Sequence, residues 1–254
     1  MGGLSHYLER AGFATAGISL IRLHSEKIRP PRALWVPFEL GRPLGVPNDA
    51  AFQSRVLQKL IDLFDLPEGP VLVDYTEDAP VSGANQMEGL VCPVNFDASN
   101  TEDATLEMAV IREIGELLPW YDLACKRRQR TTVGVTGLEI EETARTLAKW
   151  LTSSPPVDVV NDHTPAAMLK LAVEDLRAFY FEAAAGQPRG DSIGSRQLAD
   201  WFWGETSAAK LLLALRERLI PDEDPALQLL GHNSVVPREQ WTRFGIDDRW
   251  WHKR

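Results

Sequence analysis

The stretch RLHSEKIRPPRALWVPFELGRPLGVPND concentrates the side chains best suited to hold a small anion. Arg22, His24, Lys27, Arg29, Arg32 and Arg42 place six potential cations within 21 residues of a chain whose net charge is −9. Guanidinium groups bind carboxylates and phosphates in a two-pronged geometry, and a cationic loop in an acidic protein attracts small anions. Trp35 and Phe38 are placed to wall such a pocket. The prolines fix φ and lower the entropy lost on ordering the loop. The competing reading is a stiff structural crossover, with both aromatics in the core and the arginines in ion pairs. A second candidate lies upstream, in GGLSHYLE. There Gly2 and Gly3 lead into a helix whose start bears Ser5 and His6, and the free N–H groups of a helix start favour anions.

The elements that must position these groups are legible from their punctuation. SHYLERAGF reads as a short helix, with Ser5 as N-cap and Gly12 as the residue just past its end. A strand over 14–21 and a short extended piece over 33–38 follow. The helix NDAAFQSRVLQKLIDLFDLPEG starts at an Asn48 or Asp49 cap and stops before Pro67 and Gly69. Phe52, Val56, Leu57, Leu60, Ile61 and Phe64 form its apolar stripe. Strands are expected over 69–75 and 89–96. Residues 1–98 therefore read as a small α/β unit with a mostly parallel sheet. The unit opens on a helix rather than a strand, so three readings are open: a partial unit, a strand and first loop supplied from elsewhere, or a start placed too late.

Residues 104–254 read as an all-α region, with the boundary in the polar run at 98–104. Its first helix, TEDATLEMAVIREIGELLPWYDLACKRR, is expected to kink or break at Pro119. The basic run 126–130 reads as a helix end, where cations oppose the negative pole of the dipole. A capping box formed by Thr136 and Glu139 predicts a helix over 136–154. Another runs from Pro165 to Gly186. The aromatics of AFYFEAAA and ADWFWGET read as packing between helices. Glu139, Glu141, Glu142, Glu174, Asp175 and Glu182 read mostly as solvated faces. No Glu is followed three residues later by His, which excludes the di-iron bundle pattern. His163 and His232 fall at helix boundaries with no ligand partner at helical spacing.

Bulk composition narrows the function classes. A 44% hydrophobic, 25% charged chain is ordinary for a folded globular protein. The acidic balance argues against nucleic acid as a partner. No apolar run reaches the ~18 residues of a membrane span. The polar N-terminus lacks a leader's apolar core, so the expected compartment is the cytoplasm. Cys92 and Cys125 show neither zinc-site spacing nor a CxxC pattern and read as core residues. No GxSxG or HExxH signature identifies a hydrolase. No metal is expected, and no cofactor follows from these residues.

The N-terminal third also carries a resemblance. In order it shows a helix ending in Ala11-Gly12-Phe13, a strand, a basic stretch, the segment VPFELGRPLGVPND, and a helix beginning FQSRVL. Over about residues 4–66 this resembles the component B-like family of glycine/sarcosine/betaine reductase, the selenoprotein B-related chains. The resemblance implies an α/β fold and a loop near a substrate carboxylate or amine. In that family a selenocysteine or cysteine in a turn before a helix does the redox chemistry. The matching place here, residues 2–6, holds no cysteine.

Two expectations result. In the first, the chain is a reductase-component-like protein that binds a small anionic, carboxylate- or amine-containing metabolite. Gly2, Gly3, Ser5, His6, Arg29, Arg32, Trp35, Phe38 and Arg42 would line the site, and a redox partner or second subunit would do the chemistry. In the second, it is a non-catalytic scaffold within a multi-protein complex, with the proline-rich loop and the aromatics Trp241, Phe244, Trp250 and Trp251 at interfaces. The expected assembly is an oligomer; one that buries the 29–49 loop would count against the first expectation.

Overall fold

The computed structural model describes residues 2–66, 69–79, 105–152, 163–188 and 194–246. They fall in two compact units, an α/β unit at the N-terminus and a helical unit after it. The expected boundary at 98–104, the expected strand at 89–96, Cys92, Trp250 and Trp251 lie outside the described residues.

The N-terminal unit runs α1 (Gly2–Arg10), β1 (Gly17–Ser19), α2 (Arg22–Ile28), β2 (Arg32–Trp35), α3 (Ala50–Ile61) with a 3-10 turn (Asp62–Asp65), and β3 (Val71–Asp74). The strands form a parallel sheet in the order β1-β2-β3. Gly17 stands opposite Ala33, and Arg32 opposite Val71. Parallel neighbours need a crossover between them. Here α2 links β1 to β2, and α3 links β2 to β3.

Local signals explain most boundaries. Past α1 the Gly12 N–H donates to the Glu9 carbonyl and the Phe13 N–H to the Leu8 carbonyl, both at 3.0 Å, with Gly12 at φ +89°. This is the 5→2 and 6→1 closure that a left-handed residue makes possible. Asp49 caps α3 by accepting from the Phe52 N–H at 2.9 Å. Two expectations are corrected. Ser5 is not an N-cap, because α1 already begins at Gly2, so Gly2 and Gly3 belong to the helix rather than to a turn before it. The basic stretch contains α2, ended by Arg29 in the left-handed region at φ 52°.

The core of this unit is Leu34, Val36, Phe38, Phe52, Val56, Leu63 and Tyr75. The rings of Phe38, Phe52 and Tyr75 meet with centroids 5.4–6.2 Å apart. Gly45, at φ +82°, lies against the Phe52 ring where a Cβ would collide. The proline-rich loop is thus wrapped over an aromatic cluster, and Phe38 belongs to the core. Of the expected apolar stripe, Phe52 and Val56 are buried and Leu60 packs against the core, while Leu57, Ile61 and Phe64 stay exposed; Leu63 of the 3-10 turn, outside that stripe, is buried as well.

The helical unit comprises α4 (Leu106–Arg128), α5 (Ile140–Thr152), α6 (Pro165–Gly186), α7 (Ser195–Glu205), α8 (Ser207–Leu219), α9 (Pro225–Asn233) and a 3-10 turn (Arg238–Gln240). Helix α4 continues through Pro119, so of the expected kink or break it is the break that does not occur. Buried Leu117 and Ala124 anchor it on either side, which offsets the one backbone bond a proline removes. Lys126, Arg127 and Arg128 fill its last turn, as the dipole argument requires. The aromatics Phe179, Tyr180, Trp201, Phe202 and Trp203 are core residues. Trp241 is buried too, its Nε1 donating to the Val236 carbonyl at 3.0 Å, so it packs the unit rather than an interface.

Three carboxylates organise this unit from within. On α6, Asp175 and Glu182 lie two turns apart on one face. Asp175 accepts from the N–H groups of Gly134, Val135 and Thr136 and from the Thr136 hydroxyl at 2.6–3.1 Å. Glu182 accepts from the Thr131 hydroxyl and from the N–H and hydroxyl of Thr132 at 2.7–2.8 Å. This use of Thr136 corrects its expected role as a cap: α5 starts at Ile140, and Thr136 is buried in the preceding loop. On α4, buried Glu113 accepts from the Tyr180 hydroxyl at 2.7 Å and the Ser207 N–H at 2.7 Å, at the start of α8. A carboxylate at a helix start satisfies otherwise orphaned donors.

Replacing Glu113 by Ala strands the buried Tyr180 hydroxyl and the half-buried Ser207 N–H and should cost roughly 3 kcal/mol in chemical denaturation. Burial lifts the Glu113 pKa above its ordinary 4.5, against the pull of its hydrogen bonds from Ser207 and Tyr180. A carboxyl raised in the folded state binds more protons there than when unfolded. The contribution of Glu113 should therefore fall as pH rises above 4.5, and Glu113→Gln should flatten that segment of the pH–stability curve.

Candidate functional site

The expected site residues divide between the two ends of β2. At its amino end, Gly2 packs against Ile28 and Pro30. His6 Nε2 donates to the Ile28 carbonyl at 3.2 Å. Glu9 accepts from the Thr15 N–H at 2.6 Å and from Arg32 Nη1 at 2.9 Å. Arg32 Nη2 also donates to the Leu66 carbonyl at 3.1 Å. The Thr15 N–H, with the Thr15 hydroxyl and Arg32 assisting, holds the Glu9 carboxyl below its usual range against partial desolvation. The Arg32 side chain is only 10% exposed. It ties α1 to the chain after α3 and is not open to a ligand.

At the carboxyl end stand Trp35, half-buried on β2, then buried Phe38 and exposed Arg42, which pairs with Glu39 at 3.6 Å. Three residue steps of strand, roughly 10 Å, separate Arg32 from Trp35. The loop arginine and aromatics therefore do not face the start of α1. Carboxyl ends of parallel strands are where open α/β sheets bind ligands. Here they carry paired charges. Arg22 Nε meets Asp74 Oδ1 at 3.1 Å and Arg22 also pairs with Glu26; Arg55 meets Glu77 at 2.9 Å; and the buried Ser25 hydroxyl donates to Ser19 Oγ at 2.6 Å. Arg29 is exposed at the opposite end. Among the described residues no group of three or more His, Cys, Asp or Glu could hold a metal ion. Cys125 is a free, half-buried thiol within α4.

The concave feature at α1 is a shallow, open depression lined by Gly3, His6, Tyr7, Glu9 and Arg10. Helix periodicity explains its character. Gly2, His6 and Glu9, at i, i+4 and i+7, form the stripe turned to the body of the unit. Leu4, Tyr7 and Leu8 fall on the far side, 57%, 67% and 39% exposed, and no residue of α1 is buried. Helix α1 is thus inverted: polar contacts inward, apolar side chains outward. Nearby Phe13, Leu23 and Ile28 are exposed as well. The apolar residues Leu4, Tyr7 and Leu8 were not among the expected site residues. Their spacing marked an amphipathic helix without saying which face meets the body.

No protein-family model, curated protein or solved structure matches the chain. Among the described residues no helix is long and apolar enough to cross a membrane.

If Arg32 is a tie rather than a ligand group, Arg32→Ala should lower the thermal midpoint of the N-terminal unit. Arg42→Ala, removing an exposed pair, should leave it within error. Differential scanning calorimetry of both variants separates the two roles.

Proposed function

We propose that this chain is a non-catalytic assembly subunit whose N-terminal α/β unit is a protein-docking module. The observation that supports this most is the inverted α1, which turns Leu4, Tyr7 and Leu8 to the outside and keeps its polar stripe for the body. A short helix with no buried residue gains little from its own fold. Exposed apolar clusters with charged rims mark interaction sites. The alternative use of the unit, as a stand-alone anion pocket, has less support, because Arg22, Arg32, Arg42 and Arg55 already sit in ion pairs.

The resemblance to reductase component B fits this reading in one form. A chain without the redox cysteine would contribute surface to a complex, and a second subunit or redox partner would hold the small anionic metabolite and do the chemistry.

Light scattering on the full chain should give a particle heavier than the 28.4 kDa of one copy. Leu4→Glu/Tyr7→Glu should reduce it to one copy with its circular dichroism and melting midpoint unchanged. A wild-type chain of single-copy mass from 1 to 500 μM would contradict the proposal.

A further inference from the structure

The inner side of α1 rests on a cradle for a carboxylate that the helix itself does not build. Glu9 Oε1 accepts three hydrogen bonds, from the Thr15 N–H at 2.6 Å, the Thr15 hydroxyl at 3.1 Å and Arg32 Nη1 at 2.9 Å. All three donors belong to the body of the unit. Arg32 is the first residue of β2, and its Nε and Nη2 donate to the Leu66 carbonyl at 3.4 and 3.1 Å. Thr15 shortly precedes β1, whose Gly17 stands opposite Ala33, the neighbour of Arg32. The sheet and the chain after α3 therefore position the donors, and Glu9 does not. A braced guanidinium beside a backbone N–H is a ready site for a carboxylate. The occupant is lightly held by comparison. Glu113, Asp175 and Glu182 sit on helices with extensive buried faces, so they cannot leave without unpacking a core. Helix α1 has nine residues and none is buried, and so short a helix is marginal without packing. Among the described residues, its side-chain hydrogen bonds to the body come from His6, to the Ile28 carbonyl, and from Glu9. Its tether, residues 11–16, lies outside any helix or strand and contains Gly12 at φ +89°.

We propose that α1 is a displaceable plug: Glu9 fills a carboxylate site of its own chain, and an external carboxylate binds Arg32 and Thr15 when α1 swings away on residues 11–16. The inference concerns the inner side of α1 and does not rest on the docking of its outer side. While α1 is seated, Arg32 is closed to ligands, so an external carboxylate competes with a tethered one. The apparent affinity is then the intrinsic affinity reduced by the fraction of molecules in which α1 is away. The seated Glu9 side chain is the guide to the ligand: an aliphatic carboxylate, either a small molecule or an acidic side chain on a protein segment.

The probe is propionate, which reproduces the Glu9 side chain from Cβ outward, with chloride at equal ionic strength as the control. It is added to the full chain up to roughly 100 mM, above the mM effective concentration of a short tether. Binding is read from the NMR shift of the Thr15 amide in wild type and in Glu9→Ala, with circular dichroism checking that the variant folds. Glu9→Ala should bind propionate about tenfold more tightly than wild type, as for a plug seated about nine-tenths of the time. In wild type the amides of α1 should exchange faster in propionate than in chloride. The inference is overturned if the Thr15 amide of Glu9→Ala responds no more to propionate than to chloride, or if the two chains bind it equally. It is also overturned if propionate leaves the exchange of α1 in wild type unchanged, a measurement that stands even if Glu9→Ala does not fold. An end-capped peptide with a single Glu that acts at lower concentration than propionate assigns the carboxylate to a protein segment, and the reverse order assigns it to a small molecule.

Discussion

The Arg32 guanidinium, held between the Glu9 carboxylate and the Leu66 carbonyl, fixes what the N-terminal unit can present. It binds three parts of the chain at the amino end of β2: α1, the strand itself and the exit from α3. Because Glu9 is turned inward to meet it, the rest of the helix is set by periodicity. His6 and Gly2 follow Glu9 to the body, and Leu4, Tyr7 and Leu8 follow each other outward. The pair is partly buried, with the Glu9 side chain 27% exposed, so breaking it leaves the better-covered Arg32 guanidinium with the Leu66 carbonyl as its remaining partner. Which face of α1 turns outward therefore follows from this one contact, although the helix itself, with no buried residue, is only lightly held.

The two units solve the same problem in different ways. In the helical unit each of three buried carboxylates meets several donors, so the loop between α4 and α5, held at two points, and one helix start are closed off inside. Buried polar groups there are consumed by structure. In the α/β unit the aromatic cluster of Phe38, Phe52 and Tyr75 is small, and it uses only one side of α3. Leu4, Tyr7 and Leu8 of α1 and Leu57 and Ile61 of α3 stay outside. That contrast is why the docking reading attaches to the N-terminal unit.

Most of the fold was legible where the chain carries punctuation. Gly12, Asp49 and Pro165 mark helix ends by backbone chemistry, which acts locally and does not depend on the rest of the fold. Helix α2 was not legible, because RLHSEKI has no core stripe; only Ser25 is buried, and tertiary context holds the segment. Pro119 does not end α4, because burial on both sides outweighs the local rule. Asp175, Glu182 and Glu113 were hidden for a related reason: a carboxylate in an apolar helix face looks like a solvated one until the donors it meets are known. The candidate site was legible as a set of residue types but not as a place. The sequence shows arginines, and only the fold shows that Arg32 is spent on Glu9.

Hydrogen exchange on the full chain, dilute against concentrated, tests the central claim most directly. With no residue of α1 buried, its amides should exchange fast when dilute and become protected when concentrated. The loop at 36–49 should not change. Equal exchange of α1 at both concentrations would contradict the account, as would protection confined to the loop.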